Sequence, residues 1–288
     1  MIGALQEDSD LVRSFDGSMI AAHATGSGEK MPMLIANPVG ATLGVWRKVL
    51  ADIGRQRQAI TWDHRGLHAS SKPASDRIDV GAHAEDAIAV LDHLGIDEFV
   101  LLSWSNGSRI ALELTDRYPE RVRALSIVCG GFGQSFGRLV RYLELASLLP
   151  AAARIAKHFA PRIEGPLDAL VTRPELAGLI RQSGFVGATA DVGLLVELLR
   201  EIAACDAKAL LATFEAVAGD AAPELVSTVE APTLLIAGDR DKFTPLRMME
   251  EMNVSIAGSE LIVYERATHY LPIEYPARLA DDLRLFFP

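Results

Sequence analysis

The chain has 288 residues, 49% of them hydrophobic, and its 28 Lys plus Arg stand against 38 Asp plus Glu for a formal charge of −10. That length holds one large domain or two small ones with enough core to fold unaided, and the composition excludes disordered and fibrous classes. No basic run with interleaved aromatics occurs in this acidic chain, which argues against a nucleic-acid partner.

Met1 to Asp10 carries Glu7, Asp8 and Asp10 where an export signal would be basic and then apolar. Apolar stretches such as Ala124 to Gly131 fall far short of the run of about 18 residues that a membrane helix needs. A cytoplasmic protein with no membrane span is expected. Cys129 and Cys205 stand alone, without metal-ligand or redox spacing, and read as buried, reduced thiols.

In chain order, Asp10 to His23 reads as two short strands about a tight Asp16-Gly17 turn. Buried strands are expected at Met31 to Ala36, ending in Asn37-Pro38-Val39-Gly40, and at Gln58 to Trp62, ending in Asp63-His64-Arg65-Gly66. A helix follows over Ala82 to Leu94, with Ala87, Ile88, Leu91 and Leu94 on one face and Gly95 as its stop. Next come a strand at Phe99 to Leu102, a helix from Asn106 to Arg117, and strands at Ala124 to Cys129, Thr233 to Ala237 and Leu261 to Tyr264. This alternation predicts an α/β fold with a mostly parallel central sheet flanked by helices. Between Gly133 and Glu224 the pattern changes to Ala- and Leu-rich helical segments split by prolines, an inserted helical module. Core parts at 1–131 and 225–288 thus flank an insert at 132–224.

Two glycine-rich stretches carry no nucleotide signature. Gly26 to Lys30 lacks the strand, the spacing and the hydroxyl residue of a phosphate loop, and Gly131 to Gly137 misses the dinucleotide fingerprint by one residue. No cofactor is expected.

The informative stretch is Val100-Leu101-Leu102-Ser103-Trp104-Ser105-Asn106-Gly107, where a strand runs directly into a helix through one serine. Ser103 and Gly107 are small at the positions where bulk would block a very tight turn, and such a turn lifts the Ser105 hydroxyl off the sheet edge. Asn106 opens the helix, so its backbone N–H points where an anion would sit, reinforced by the positive end of the helix.

This stretch, together with loops on either side of it, resembles the α/β-hydrolase family over nearly the whole chain. Ser103-x-Ser105-x-Gly107 stands at that family's nucleophile elbow, and Asp63 to Gly66 and Tyr118 to Val122 look like two of its loops. Gly238-Asp239-Arg240-Asp241 is similar to its acid motif, and Ala267-Thr268-His269-Tyr270, with Glu274 and Pro276, to its histidine loop. The resemblance implies the fold of that family with a helical cap at the insert, and a catalytic set of Ser105, Asp241 and His269 in the required chain order.

The chemistry agrees. A serine hydroxyl needs an imidazole to take its proton and a carboxylate to fix the tautomer, and all three residues follow predicted strands, hence one edge of a parallel sheet. Asp239 competes for the acid role, but the family's usual position favours Asp241 and leaves Asp239 to shape the turn. The second oxyanion donor is expected after Met31 to Ala36, where Asn37-Pro38 replaces the family's His-Gly. Pro38 has no N–H, so Val39 is the donor beside Asn106, with Gly40 as its substitute.

His64 and His68 read as solvated loop residues, and His23, His83, His93 and His158 sit singly, so no metal site is expected. Trp104 reads as packing under the elbow. Apolar cap residues, among them Phe136, Phe159, Leu195, Leu198 and Leu199, suit an acyl or aromatic pocket. The expected activity is cleavage of a carboxylic ester of a small apolar substrate through an acyl-enzyme on Ser105. The alternatives are carbon–carbon hydrolysis of a ring-fission diketone and a triad-bearing sensor of a small ligand.

Overall fold

The computed structural model describes residues 7–132, 184–219 and 223–288. Strands β1 (Glu7–Arg13), β2 (Met19–Thr25), β3 (Lys30–Ala36), β4 (Arg57–Trp62), β5 (Phe99–Trp104), β6 (Val122–Val128), β7 (Thr233–Gly238) and β8 (Glu260–Tyr264) form one sheet. Their spatial order is β1-β2-β4-β3-β5-β6-β7-β8. The two hairpin strands pair antiparallel with each other and, through β2, with β4, whereas every pairing from β4 to β8 is parallel.

The central strands are largely apolar because both faces of the sheet are covered. Side-chain alternation divides them between two cores. Leu34, Leu101, Leu125, Ile127 and Leu235 enter one, with Ile88 and Leu91 of α2 (Val80–His93) and Ile110 and Leu114 of α3 (Gly107–Arg117). Ile35, Leu102, Val128 and Ile236 enter the other, with Val49, Leu50 and Ile53 of α1 (Arg47–Ile53). Register places Ile35, Leu102, Ser126 and Leu234 in one row across four strands, so the strands end together at one carboxyl edge. Loops on that edge can converge on a common ligand.

The described part of the insert contains α4 (Val192–Ala204) and α5 (Ala207–Gly219). Asp191 caps α4 by accepting from the Leu194 N–H and is held by Lys48. Leu194 and Leu195 bury against the second core, which seats α4 on the sheet edge. Residues 133–183, with Phe136, Phe159 and His158, lie outside the described residues. Four further helices complete the described α-helices: α6 (Glu224–Ser227), α7 (Leu246–Ser255), α8 (Leu271–Glu274) and α9 (Pro276–Phe286), and a 3-10 turn at Leu43–Trp46 leads into α1.

Three local expectations need correction. The opening hairpin is closed by the Ser14 N–H donating to Ser18 O at 2.9 Å, so its turn spans three residues, Phe15, Asp16 and Gly17, rather than two. Its Asp16 carboxylate accepts from Arg65 at 2.9 Å and from Ser75 at 2.6 Å. His64 is buried at 2% exposure rather than solvated, whereas His68 is exposed. Cys205 is only half-buried, while Cys129 is fully buried, and both are free thiols.

Candidate active site

Ser105 follows β5 with a φ of +54°, a conformation rare for a residue with a side chain. The turn is held by the Ser105 N–H donating to Val128 O at 3.1 Å and by Ser108 N–H closing back onto Ser105 O at 3.1 Å. Gly107 makes this geometry possible, because a Cβ there would lie 2.1 Å from Ala36 O. Helix α3 can therefore drive its first turn against the loop after β3.

His269 lies in the loop after β8, and its Nε2 is 2.7 Å from Ser105 Oγ. Its Nδ1 is 2.8 Å from Asp241 Oδ2, beyond the end of β7. All three side chains are buried. Asp239 turns away and accepts the Ala267 N–H at 3.1 Å, bracing the loop between the strands. Asp241 Oδ1 accepts from the Phe243 and Thr244 N–H groups at 2.8 Å each, and Oδ2 also accepts from the Thr244 hydroxyl at 2.7 Å. Burial pushes the Asp241 carboxyl up, but the facing His269 and these donors outweigh it and hold it below the ordinary carboxylate range. An ionised carboxylate in this position fixes a proton on Nδ1 and leaves Nε2 as the acceptor facing Ser105.

The histidine loop is anchored at its backbone. Trp104, buried beneath the elbow, donates its indole N–H to His269 O at 2.9 Å. Glu274 accepts from the Thr268 N–H and hydroxyl and from the Gly187 N–H, so one carboxylate ties the loop to the described part of the insert. Thr244, Trp104 and Glu274 as supports were not read from the sequence. Two of them left local signals: Glu274 stands in the histidine-loop motif, and an aspartate followed three residues later by a hydroxyl residue favours a self-bonding turn.

In the loop after β3, Asn37 is fixed at both ends, accepting from the Trp46 indole at 2.7 Å and donating to Thr61 Oγ1 at 3.0 Å. The Val39 N–H donates to Asn106 Oδ1 at 3.0 Å, a bond between the two residues expected to supply oxyanion donors.

A cavity of about 440 Å³ opens over Ser105 and His269. Its floor includes Val39, Trp104 and Phe243, and its roof is Leu198, Leu199 and Ile202 of α4 with Leu210 and Phe214 of α5. No lining side chain among the described residues is Lys, Arg, Asp or Glu. Tyr270 also lines it, its phenol pushed up to about 12 by burial and by Asp241 and Glu274.

One group of three potential metal ligands gathers among the described residues: Cys129, Asp241 and His269, with donor atoms within 4.8 Å. Asp241 and His269 are bonded to each other, and burial beside Asp241 pushes the Cys129 thiol well above its ordinary range. A protonated thiol is a poor metal ligand, so the set suits proton transfer. No helix among the described residues is long and apolar enough to cross a membrane.

Known proteins share this fold. A family model described as alpha/beta hydrolase fold matches residues 32–276. The chain is 28% identical over 265 residues to 2-hydroxymuconate semialdehyde hydrolase from Pseudomonas sp. (strain CF600), covering 90% of this chain and 87% of that protein. It is 29% identical over 205 residues to pimeloyl-(acyl-carrier protein) methyl ester esterase from Neisseria meningitidis, covering 68% of this chain and 71% of that protein. Among solved structures, a hydrolase from Pseudomonas aeruginosa PA01 superposes with a TM-score of 0.75 at 22% identity, covering 97% of this chain and 98% of that one.

Proposed function

The chain belongs to the alpha/beta hydrolase fold family and is a hydrolase, and from that premise we propose that it cleaves the carboxylic ester of a small apolar substrate with Ser105 as nucleophile. The observation that carries this reading is the continuous hydrogen-bonded run from Ser105 Oγ through His269 to Asp241, at 2.7 and 2.8 Å. In this mechanism Ser105 Oγ attacks the ester carbonyl carbon while its proton passes to His269 Nε2, and Asp241 stabilises the imidazolium through Nδ1. The N–H groups of Val39 and Asn106 hold the oxyanion. Collapse breaks the bond to the alcohol, which takes the proton from His269, and water then releases the acid by the same steps. The chemistry needs no cofactor.

The lining, apolar and without Lys or Arg among the described residues, supports an uncharged acyl group, since an anionic substrate buried there would need a cation beside it. Residues 132–224 serve in this reading as the cap, whose helices α4 and α5 size the acyl group. A chain-length series of p-nitrophenyl esters tests it. Wild type should show a preferred length, and Ser105→Ala should lose a factor on the order of 10⁴ to 10⁶ in kcat. Near-normal turnover in Ser105→Ala would sink the mechanism.

A second reading, carbon–carbon hydrolysis of a ring-fission diketone, is favoured by the semialdehyde hydrolase relative, which aligns with 90% of the chain. Faster turnover of a vinylogous diketone than of any ester in the series would establish it over the first.

A further inference from the structure

We propose that the Asn106 side chain is a resting-state occupant of the oxyanion site, holding the Val39 N–H until a developing oxyanion displaces it. Asn106 then sets ground-state binding through its side chain as well as donating through its backbone. This inference rests on the assignment of Ser105 and Val39 made above.

The Val39 N–H is engaged by Asn106 Oδ1 at 3.0 Å across 67 residues of chain, and both residues line the cavity over Ser105. An asparagine at a helix N-cap ordinarily turns its side-chain oxygen onto the second or third N–H of its own helix. Asn106 stands at the start of α3, but its backbone is already helical, with φ −68° and ψ −14°, and its side chain makes no bond to its own helix. Its amide reaches across to the neighbouring loop instead. The oxygen end of the amide must face Val39, because a backbone N–H can only donate.

The two partners differ in freedom. The loop bearing Val39 is fixed, since Asn37 is clamped by Trp46 and Thr61 and the first turn of α3 packs against Ala36 through Gly107. The Asn106 amide is released by rotation about its own side-chain bonds, with no helix cap to lose.

Two acceptors therefore compete for one donor. A ground-state ester carbonyl is neutral, like the amide oxygen it would displace, so the exchange gains it nothing. A tetrahedral oxyanion is charged, and its hydrogen bonds are about twice as strong. The exchange becomes favourable only as charge develops on the substrate oxygen, which moves the Val39 interaction from the ground state to the transition state. With the amide gone, the ground-state carbonyl takes the donor as well, and one neutral hydrogen bond corresponds to about a fivefold change in binding.

The test compares wild type with Asn106→Ala and with Asn106→Leu, which removes the acceptor while keeping most of the volume. Three readouts are used: steady-state ester hydrolysis, inhibition by an alkylboronic acid, and inhibition by butylbenzene, which has no acceptor atom. The boronic acid forms a bond from Ser105 Oγ to boron, giving a tetrahedral anion while the serine proton passes to His269.

In both variants KM should fall and boronate affinity should rise, each about fivefold beyond any change in the butylbenzene Ki, which reports the altered cavity wall alone. A tenfold or larger loss of kcat/KM and of boronate affinity, measured relative to butylbenzene, overturns the proposal and makes the amide a brace that aims Val39. No change in any readout overturns it too, since Val39 then donates to nothing the substrate displaces. Failure of the underlying assignment is a separate result: Ser105→Ala would keep turnover, or would bind the boronate as tightly as wild type.

Discussion

His269 and His64 lie at similar depth, 6% and 2% exposed, in the loops that follow parallel strands β8 and β4. Each ring nitrogen of His269 has a polar partner, Asp241 on one side and Ser105 on the other. His64 meets another imidazole edge to face, His83 of α2, at 4.9 Å between ring centres. Nε2 of His64 and both nitrogens of His83 have no hydrogen-bond partner among the described residues. Burial, opposed by Asp63 and reinforced by His68, pushes His64 down to about 4, and burial with His64 and Arg65 nearby pushes His83 well below the ordinary range. Depth alone silences an imidazole by making its charged form costly. A carboxylate bonded to the opposite nitrogen makes a buried ring useful as a base.

Breaking that difference at Asp241 should have the largest effect. Asp241→Asn removes the charge that stabilises the imidazolium and lets the ring adopt the wrong tautomer, at a cost of about 10⁴ in kcat. Asp239→Asn should cost far less, because the Asp239 carboxylate accepts from the Ala267 N–H and not from His269. Ester kinetics of the two variants decide between them, and a reversed order would move the acid assignment to Asp239.

The silent pair should appear in stability rather than in rate. In the unfolded chain both histidines titrate near 6.5, while the folded protein refuses the proton on His64 until about pH 4. The unfolded state therefore binds more protons across that window, and stability is lost as pH falls from 6.5 toward 4. The expected loss from His64 is on the order of 3 kcal/mol at pH 4. Asp241 and Asp63 have lowered values, so their contribution disappears only below the ordinary carboxylate range, in a separate window. Urea midpoints from pH 8 to 4 should fall less steeply in His64→Leu or His83→Leu than in wild type. Parallel slopes would show that the pair takes up protons as easily folded as unfolded.

Legibility in the sequence divides in the same way between local and distant causes. Small residues at Ser103 and Gly107 around Ser105, and uninterrupted apolar runs such as Val100 to Leu102, are constraints written within a few positions, and they located the elbow and the sheet. The depth of His64 was not legible, because Asp63-His64-Arg65-Gly66 is a polar loop in sequence. Its burial follows from α2 packing over it and from Arg65 pairing with Asp86 at 2.6 Å, 21 residues away. Helix α1, at seven residues, is too short to show a helical period. The supports of His269 are longer in range still: Trp104 reaches it across 165 residues and Gly187 reaches Glu274 across 87. No window along the chain contains both ends of such a bond.

The smallest effect should come from loosening His269 without touching either ring partner. Trp104→Phe keeps an aromatic ring beneath the elbow, beside Trp46 at 6.2 Å and His269 at 5.9 Å, and deletes only the indole N–H bonded to His269 O. One neutral hydrogen bond at the backbone is worth about 1 kcal/mol, so kcat should fall about fivefold if the bond contributes fully to aiming Nε2 at Ser105. A purely structural role for Trp104 would lower the unfolding midpoint by a comparable free energy and leave kcat intact below the transition. If Trp104→Phe instead matched Asp241→Asn in rate loss, the difference between His269 and His64 would lie in how the loop is held rather than in the carboxylate. The carboxylate reading requires the two effects to stand about three orders of magnitude apart.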